Sequence, residues 1–536
     1  MKKVVFCKFI YLFLSFFILF VSDLQAKENS LQSVYDVLHY QIELKVLPES
    51  KEIIGSNQFT IRAIKGFKTI SFNLFAQFAI SSVLYNKQLL PLTRVNNECI
   101  IVFPEPIKKD DTILFTVHYS GKPIVAKNAP WDGGFVWQYD AQHKPWVGLA
   151  CEGIGASSWL PCKDQWEDEP AGMRMLLKVP KGLVGVSNGR LKSKKTYTDG
   201  FDGFEWEVVA PINHYNITIN IANYQHWEDH FVSANGKLLT LNYYVLEKNL
   251  LQAKTHFQQV KRMLKAFEFY FGPYPFYADG YKLVETPYWG MEHQSCVAYG
   301  NDYKNNKFGF DFIIVHESGH EWFANSITAK DKADMWIHEG FTTYSEALYV
   351  EHQFGKLRAV QYLLEQKGKI KNELPIIGPR GINYNRPDND NYYKGTWILH
   401  TLRNIIDNDS LWFITLRELN ENFYHQTITS KQVESFISAR TKTQLSPFFE
   451  QYLRHKEIPT IEYYLVKKNG LNELHYRIKS SVRNLKLPVK VTLSKEKFDF
   501  LVFEKKWKII DLPYSDISLF KIDEGNSLVN VVNYKN

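Results

Sequence analysis

The stretch Val315-His316-Glu317-Ser318-Gly319-His320-Glu321-Trp322-Phe323 decides how the rest of the chain is read. It sits in an apolar run of helical length that begins near Phe310. Residues four apart on a helix share a face, so His316 and His320 point the same way, one turn apart. Two neutral imidazoles so placed grip one zinc ion from one side, and Glu317 stands beside it as a general base for an attacking water. A catalytic zinc takes three protein ligands and leaves one position open. The next strong candidate is Glu339, in Trp336-Ile337-His338-Glu339-Gly340-Phe341, nineteen residues beyond His320. That spacing allows a loop and the start of a second helix returning to the first. Glu346, two turns further along the same face, is placed to orient a ligand histidine. His338 is the rival ligand, but its side chain points about 100° away on the helix, toward a wall or solvent. Two imidazoles and a carboxylate favour zinc, one ion per chain.

Outward from this motif, the 536 residues are too many for one ordinary domain. An apolar share of 45% against 23% charged residues is that of a globular chain and excludes a disordered one. The net charge of +7 is mild and forms no basic run, so nothing points to nucleic acid. The start reads as a cleaved export signal over 1–26: Lys2 and Lys3, an apolar stretch from Phe9 to Val21, then Leu24-Gln25-Ala26. The alternative is an uncleaved anchor, since the run from Val4 is nearly long enough to cross a membrane. The protein is therefore expected to be periplasmic or secreted, with membrane contact only if the signal stays. Beyond the leader, Cys99, Cys151, Cys162 and Cys296 permit up to two disulfides, with the pairing open.

The hydrophobic period divides what remains. Over 27–230 it is two: Tyr40–Val46, Asn57–Ile64, Thr112–His118 and Asn213–Ile221 read as strands of an all-β domain. After Leu250, Phe257, Val260, Leu264, Phe267 and Phe271 recur at helical steps until Gly272-Pro273, and helices dominate 231–455. Thr429-Ser430-Lys431-Gln432 has the form of a capping box. Strands return over 456–536, with Tyr463–Val466 and Leu474–Ile478 flanking Asn469-Gly470, enough for a small β-sandwich. The fold class is multidomain α+β.

The motifs resemble those of the aminopeptidase N family of zinc metallopeptidases, which includes leukotriene hydrolase. His316, Glu317, His320 and Glu339 fit its His-Glu-x-x-His, eighteen residues, Glu pattern. Trp322-Phe323-Ala324-Asn325 is similar to its Trp-Phe-Gly-Asn, with Ala for Gly. The resemblance implies a thermolysin-like α+β catalytic domain behind the β domain. It implies peptide substrates with a free N-terminus. Trp289-Gly290-Met291-Glu292-His293 matches the exopeptidase signature Gly-x-Met-Glu-Asn, so Gly290 and Met291 line the substrate and Glu292 binds its α-ammonium. Trp289 replaces the first Gly and reshapes the cleft; His293 replaces Asn and adds a group titrating near neutral pH. Glu152, nine residues before Pro161-Cys162-Lys163-Asp164, is implied as a second ammonium ligand. Tyr392, before Lys394-Gly395, is implied as the oxyanion donor, with Tyr393 one residue off. Three other functions share parts of this pattern. A thermolysin-type endopeptidase needs neither Glu292 nor Glu152. An epoxide hydrolase like leukotriene hydrolase has a helical C-terminal domain, whereas this chain ends in β structure. A non-catalytic binding module would have lost ligands that are present here.

Overall fold

Alternating apolar side chains along Tyr35–Leu47 build a thirteen-residue strand whose inward positions, Val37, Tyr40, Ile42, Leu44 and Val46, are buried. The computed structural model describes residues 31–534, apart from 383, 385, 469, 495 and 496. The expected leader lies outside these residues, as does Asn469 of the hairpin turn. Among the described residues no helix is long and apolar enough to cross a membrane. The chain divides into two compact units, one up to Asn223 and one from Tyr224 to Asn536.

The first unit is all β. Tyr35–Leu47 is central in an eight-stranded sheet, paired antiparallel with Glu52–Ala63 and parallel with Met173–Pro180. A four-stranded sheet (Val184–Ser187, Ile219–Ala222, Pro145–Ala150, Gly134–Tyr139) and a three-stranded one complete it. One strand differs from its sequence pattern. The Asn213–Ile221 segment is a strand only from Ile219, because Asn213 accepts a hydrogen bond from the Tyr215 amide and starts a 3-10 turn over His214–Asn216. An Asx side chain competing for backbone donors defeats an apolar alternation that looks extended.

The second unit opens with a mixed five-stranded sheet in the order Tyr224–Val232, Leu238–Leu246, Tyr281–Glu285, Val297–Tyr299, Gly290–Met291. Helices follow: α1 (Leu250–His256), α2 (Gln259–Phe271), α3 (Phe312–Gly319), α4 (Trp336–Phe354), α5 (Lys356–Lys367), α6 (Asp390–Ile406), α7 (Asp409–Asn422), α8 (Ser430–Thr441) and α9 (Ser446–Arg454). Gly272 ends α2 at φ 91°, a conformation only glycine adopts without strain. The capping box of α8 forms as its residues dictate, with Thr429 and Gln432 each satisfying the other's backbone. Beyond α9, a four-stranded sheet containing the hairpin Thr460–Lys468 and Leu471–Lys479, with the pair Leu487–Ser494 and Lys497–Phe503, forms the C-terminal β part. These strands pack within the same unit as the helices: Tyr452 donates to the Leu528 carbonyl, and the Leu528 amide donates to Thr401.

Candidate active site

The helix carrying the opening motif is shorter than its apolar run. Helix α3 has eight residues, and His320 sits at its C-cap, still in right-handed helical geometry. Its start is fixed by buried Asp311, which accepts from the Ile313 and Ile314 amides, from Tyr299 and from Asn301, and pairs with His256 at 2.7 Å. Gly319 lets α3 close on α4, since a Cβ there would stand 2.8 Å from Ser345 Oγ.

This packing brings three ligand atoms together. His316 Nε2 and His320 Nε2 are 3.3 Å apart, and Glu339 Oε2, in the first turn of α4, lies 3.6 and 3.5 Å from them. Zinc bonds of about 2.0–2.1 Å in tetrahedral geometry set ligands roughly 3.3–3.4 Å apart, so this triangle has the dimensions of one face of a zinc tetrahedron. Glu339 Oε2 is buried with no hydrogen-bond partner, a costly state for a carboxylate that a cation relieves. The residues fit the ion. Burial alone would raise the Glu339 carboxyl, but the neighbouring His320 and His316 imidazoles outweigh it and hold it below the usual range.

The partners of the outer ring nitrogens aim both histidines. His316 Nδ1 meets Glu346 Oε1 at 2.6 Å, the contact expected from the two-turn spacing, and Tyr362 and Gln366 in turn donate to Glu346 Oε2. His320 Nδ1 donates to the Phe323 carbonyl at 2.9 Å. Each bond directs Nε2 at the metal position. His338 departs from expectation. It is fully buried, not exposed, and its Nε2 accepts the Ala329 amide at 2.8 Å.

The Gly290–Met291 edge strand runs against α3. A Cβ on Gly290 would come within 2.7 Å of Glu317 Oε1, so the residue must be glycine for the base to occupy its place. Glu317 is 8% exposed, and burial pushes its carboxyl up, toward the pH range where a base is effective. Glu292, 4% exposed, brings its carboxylate into one cluster with Glu317 and His320, all three ligand atoms within 4.8 Å of one another. Two residues without a role assigned from the sequence hold this loop. Asn325 donates to the Glu292 carbonyl at 2.9 Å, and Glu321 Oε1 accepts the Ser295 amide at 2.8 Å. Glu321 follows His320 directly and Asn325 closes the Trp322-Phe323-Ala324-Asn325 motif, the signals that could have marked them. Met291 is buried.

His293 also differs from expectation. It is wholly buried, burial pushes it down to about 3, and neither ring nitrogen has a hydrogen bond, so it stays neutral instead of titrating near neutrality. Trp289 is 42% exposed and stacks on Phe312, with its indole N–H donating to Asn301. Phe312 stacks on His316, whose ring is also parallel to Tyr392 at 5.9 Å. Tyr392, in the first turn of α6, is therefore the tyrosine beside the ligands; Tyr393 carries the Lys369 ammonium over its ring. Glu152 lies in the first unit, half-buried on the turn after Pro145–Ala150.

Two family models match the chain, the Peptidase M1 N-terminal domain over residues 36–215 and the Peptidase family M1 domain over 256–452. A leucyl aminopeptidase of Saccharolobus solfataricus is 20% identical over 444 residues, 76% of this chain and 54% of that protein. Human endoplasmic reticulum aminopeptidase 1 is 21% identical over 365 residues, 63% of this chain and 37% of that protein. The chain thus spans about half or less of the curated relatives it matches. An M1 zinc metallopeptidase of Deinococcus radiodurans superposes with TM-score 0.67 at 19% identity, over 79% of this chain and 95% of that one. A glutamate-to-alanine variant of it, solved with a Tyr-Ser-Ala substrate, matches equally well at 18% identity. With both family models in chain order and the ligand triangle inside the second, the chain belongs to the peptidase M1 family, the aminopeptidase N group of zinc metallopeptidases.

Proposed function

We propose that the chain is a zinc-dependent aminopeptidase that removes single residues from the free N-terminus of peptides. The observation that carries this reading is the Glu292 carboxylate clustered with Glu317 and His320, beside the His316–His320–Glu339 triangle. An endopeptidase has no use for a buried carboxylate there, whereas a desolvated α-ammonium requires one. His316, His320 and Glu339 hold the zinc, which supplies Lewis acidity toward the scissile carbonyl and the acidification of water. Glu317 accepts the proton of the attacking water and delivers it to the leaving amine. Tyr392 donates a hydrogen bond to the developing oxyanion. Glu292 holds the ammonium group and so fixes cleavage after one residue. Glu152 is assigned as its second partner on its place before Pro161-Cys162-Lys163-Asp164. The basic, apolar leader of 1–26 supports export to the periplasm or beyond.

A panel of aminoacyl reporters and matched N-acetylated peptides, run with and without a chelator, tests the reading. Free-amine substrates should turn over, acetylated ones should not, and the chelator should stop all cleavage. Equal rates on acetylated and free peptides would sink the exopeptidase assignment.

A further inference from the structure

The first unit holds a second cluster of ligand-type side chains, on segments far apart in sequence: Cys162, Asp164 and His214, with their ligand atoms within 4.8 Å of one another. Cys162 and His214 are fully buried, and the Asp164 side chain is 16% exposed. Each group has its other duties filled elsewhere. The Cys162 backbone pairs in both directions with Asn73, leaving its sulfur as the functional atom. Asp164 Oδ2 accepts from the Ser157 amide at 3.1 Å and the Ser157 hydroxyl at 2.5 Å, which leaves Oδ1 turned toward His214 Nδ1 at 3.3 Å. That last approach lacks hydrogen-bond geometry, and neither His214 ring nitrogen has a hydrogen bond. A wholly buried imidazole with two unsatisfied nitrogens is a costly state, and a partner at Nδ1 would relieve part of it. The neighbouring Lys163 ammonium is no such partner, since it is bound to Asp168 and the Tyr35 carbonyl.

We propose that Cys162 Sγ, Asp164 Oδ1 and His214 Nδ1 bind a second divalent metal ion of zinc type, separate from the catalytic one. A thiolate and a carboxylate together balance a doubly charged cation, and the sulfur–imidazole pair selects a borderline metal over magnesium or calcium. The 3.3 Å between Oδ1 and Nδ1 already has the edge length of a tetrahedral site, about 3.3 Å. The role is structural. The ion would tie the Ser157–Asp164 segment to the 3-10 turn at His214–Asn216.

The test uses the full chain, purified reduced and without chelator. Zinc content should be about two ions per chain in the wild type and about one in Cys162→Ser and His214→Gln. Cobalt substitution identifies the site directly, because the catalytic ligands include no sulfur. Wild-type protein should show a near-ultraviolet sulfur-to-cobalt charge-transfer band, absent from Cys162→Ser, while visible bands from the catalytic cobalt persist in both. Persistence of those visible bands shows that the variants have folded. One zinc per chain in the wild type, or a cobalt spectrum without the sulfur band, overturns the proposal. So does a Cys151–Cys162 disulfide in the unreduced mass.

Discussion

Ala324 stands at φ 142°, held there by its amide donating to the Ile327 carbonyl and its own carbonyl accepting from Thr328. A Cβ is strained in that region by about 1–3 kcal/mol, more than the ~0.5–1 kcal/mol that glycine's extra freedom costs in the unfolded chain. Ala324→Gly should therefore raise stability by about 1 kcal/mol, read as a higher denaturant midpoint with an unchanged slope. A lower midpoint would show that the strain is absent. Glu317→Gln makes a second residue-scale prediction. It should lower kcat by about 10²- to 10⁴-fold while zinc content stays the same, and retained activity would remove the base assignment. At this scale the placement of His316 beside His320 was legible because i, i+4 spacing fixes direction. His338 and His293 were not, because adjacency in sequence says nothing about burial. Their imidazoles are held neutral, with both pushed down to about 3 by burial.

Helices α4 and α6 cross with backbone against backbone. A Cβ on Gly395 would stand 2.8 Å from the Gly340 Cα, and one on Gly340 would stand 3.1 Å from the Gly395 Cα. Gly340 follows Glu339, and Gly395 is one turn past Tyr392, so this crossing sets the gap between the proposed third ligand and the proposed oxyanion donor. Gly395→Ala should force the helices apart, costing about 1–3 kcal/mol of stability and lowering kcat in the protein that remains folded. Unchanged kcat would show that the crossing does not position Tyr392. The contact between α4 and α3 gives another expectation. Glu346→Gln should weaken zinc binding by about 10- to 100-fold in chelator competition, because His316 loses its anionic partner. Element ends announced by local chemistry, such as Thr429 and Gln432, could be read from the sequence. The Asn213–Ile221 segment could not, since its side-chain cap overrides its pattern. The loop over 290–295 was legible only through family likeness. Its anchors, Glu321 and Asn325, act across distance in sequence.

For the whole molecule, the period of the hydrophobic pattern separated β from helical regions correctly, because burial imposes it on every element. It did not show where units divide. The break falls at Asn223, and the C-terminal strands stay with the helices. Lys394 ties α6 to the link between α9 and those strands: fully buried, it donates to the His455 and Lys456 carbonyls, and burial pushes it down from 10.5 to about 8. A lysine depressed in the folded state is charged in both states below about 8 and neutral in both above about 10.5. Between these limits the unfolded chain holds more protons, so stability rises with pH. Relative to Lys394→Met, the wild type should therefore gain stability between pH 8 and 10, measured by denaturant unfolding. A constant difference would place the charge in contact with water.

The stack from Trp289 through Phe312 to His316 has an optical consequence. An indole half open to solvent, at the rim of the proposed cleft, emits at a wavelength set by its wetting. A peptide settling against it would dry that face and shift the emission to the blue. In Glu317→Gln protein, where cutting is slowed, Trp289 would then report occupancy, and Trp289→Phe would keep the stacked geometry while silencing the signal.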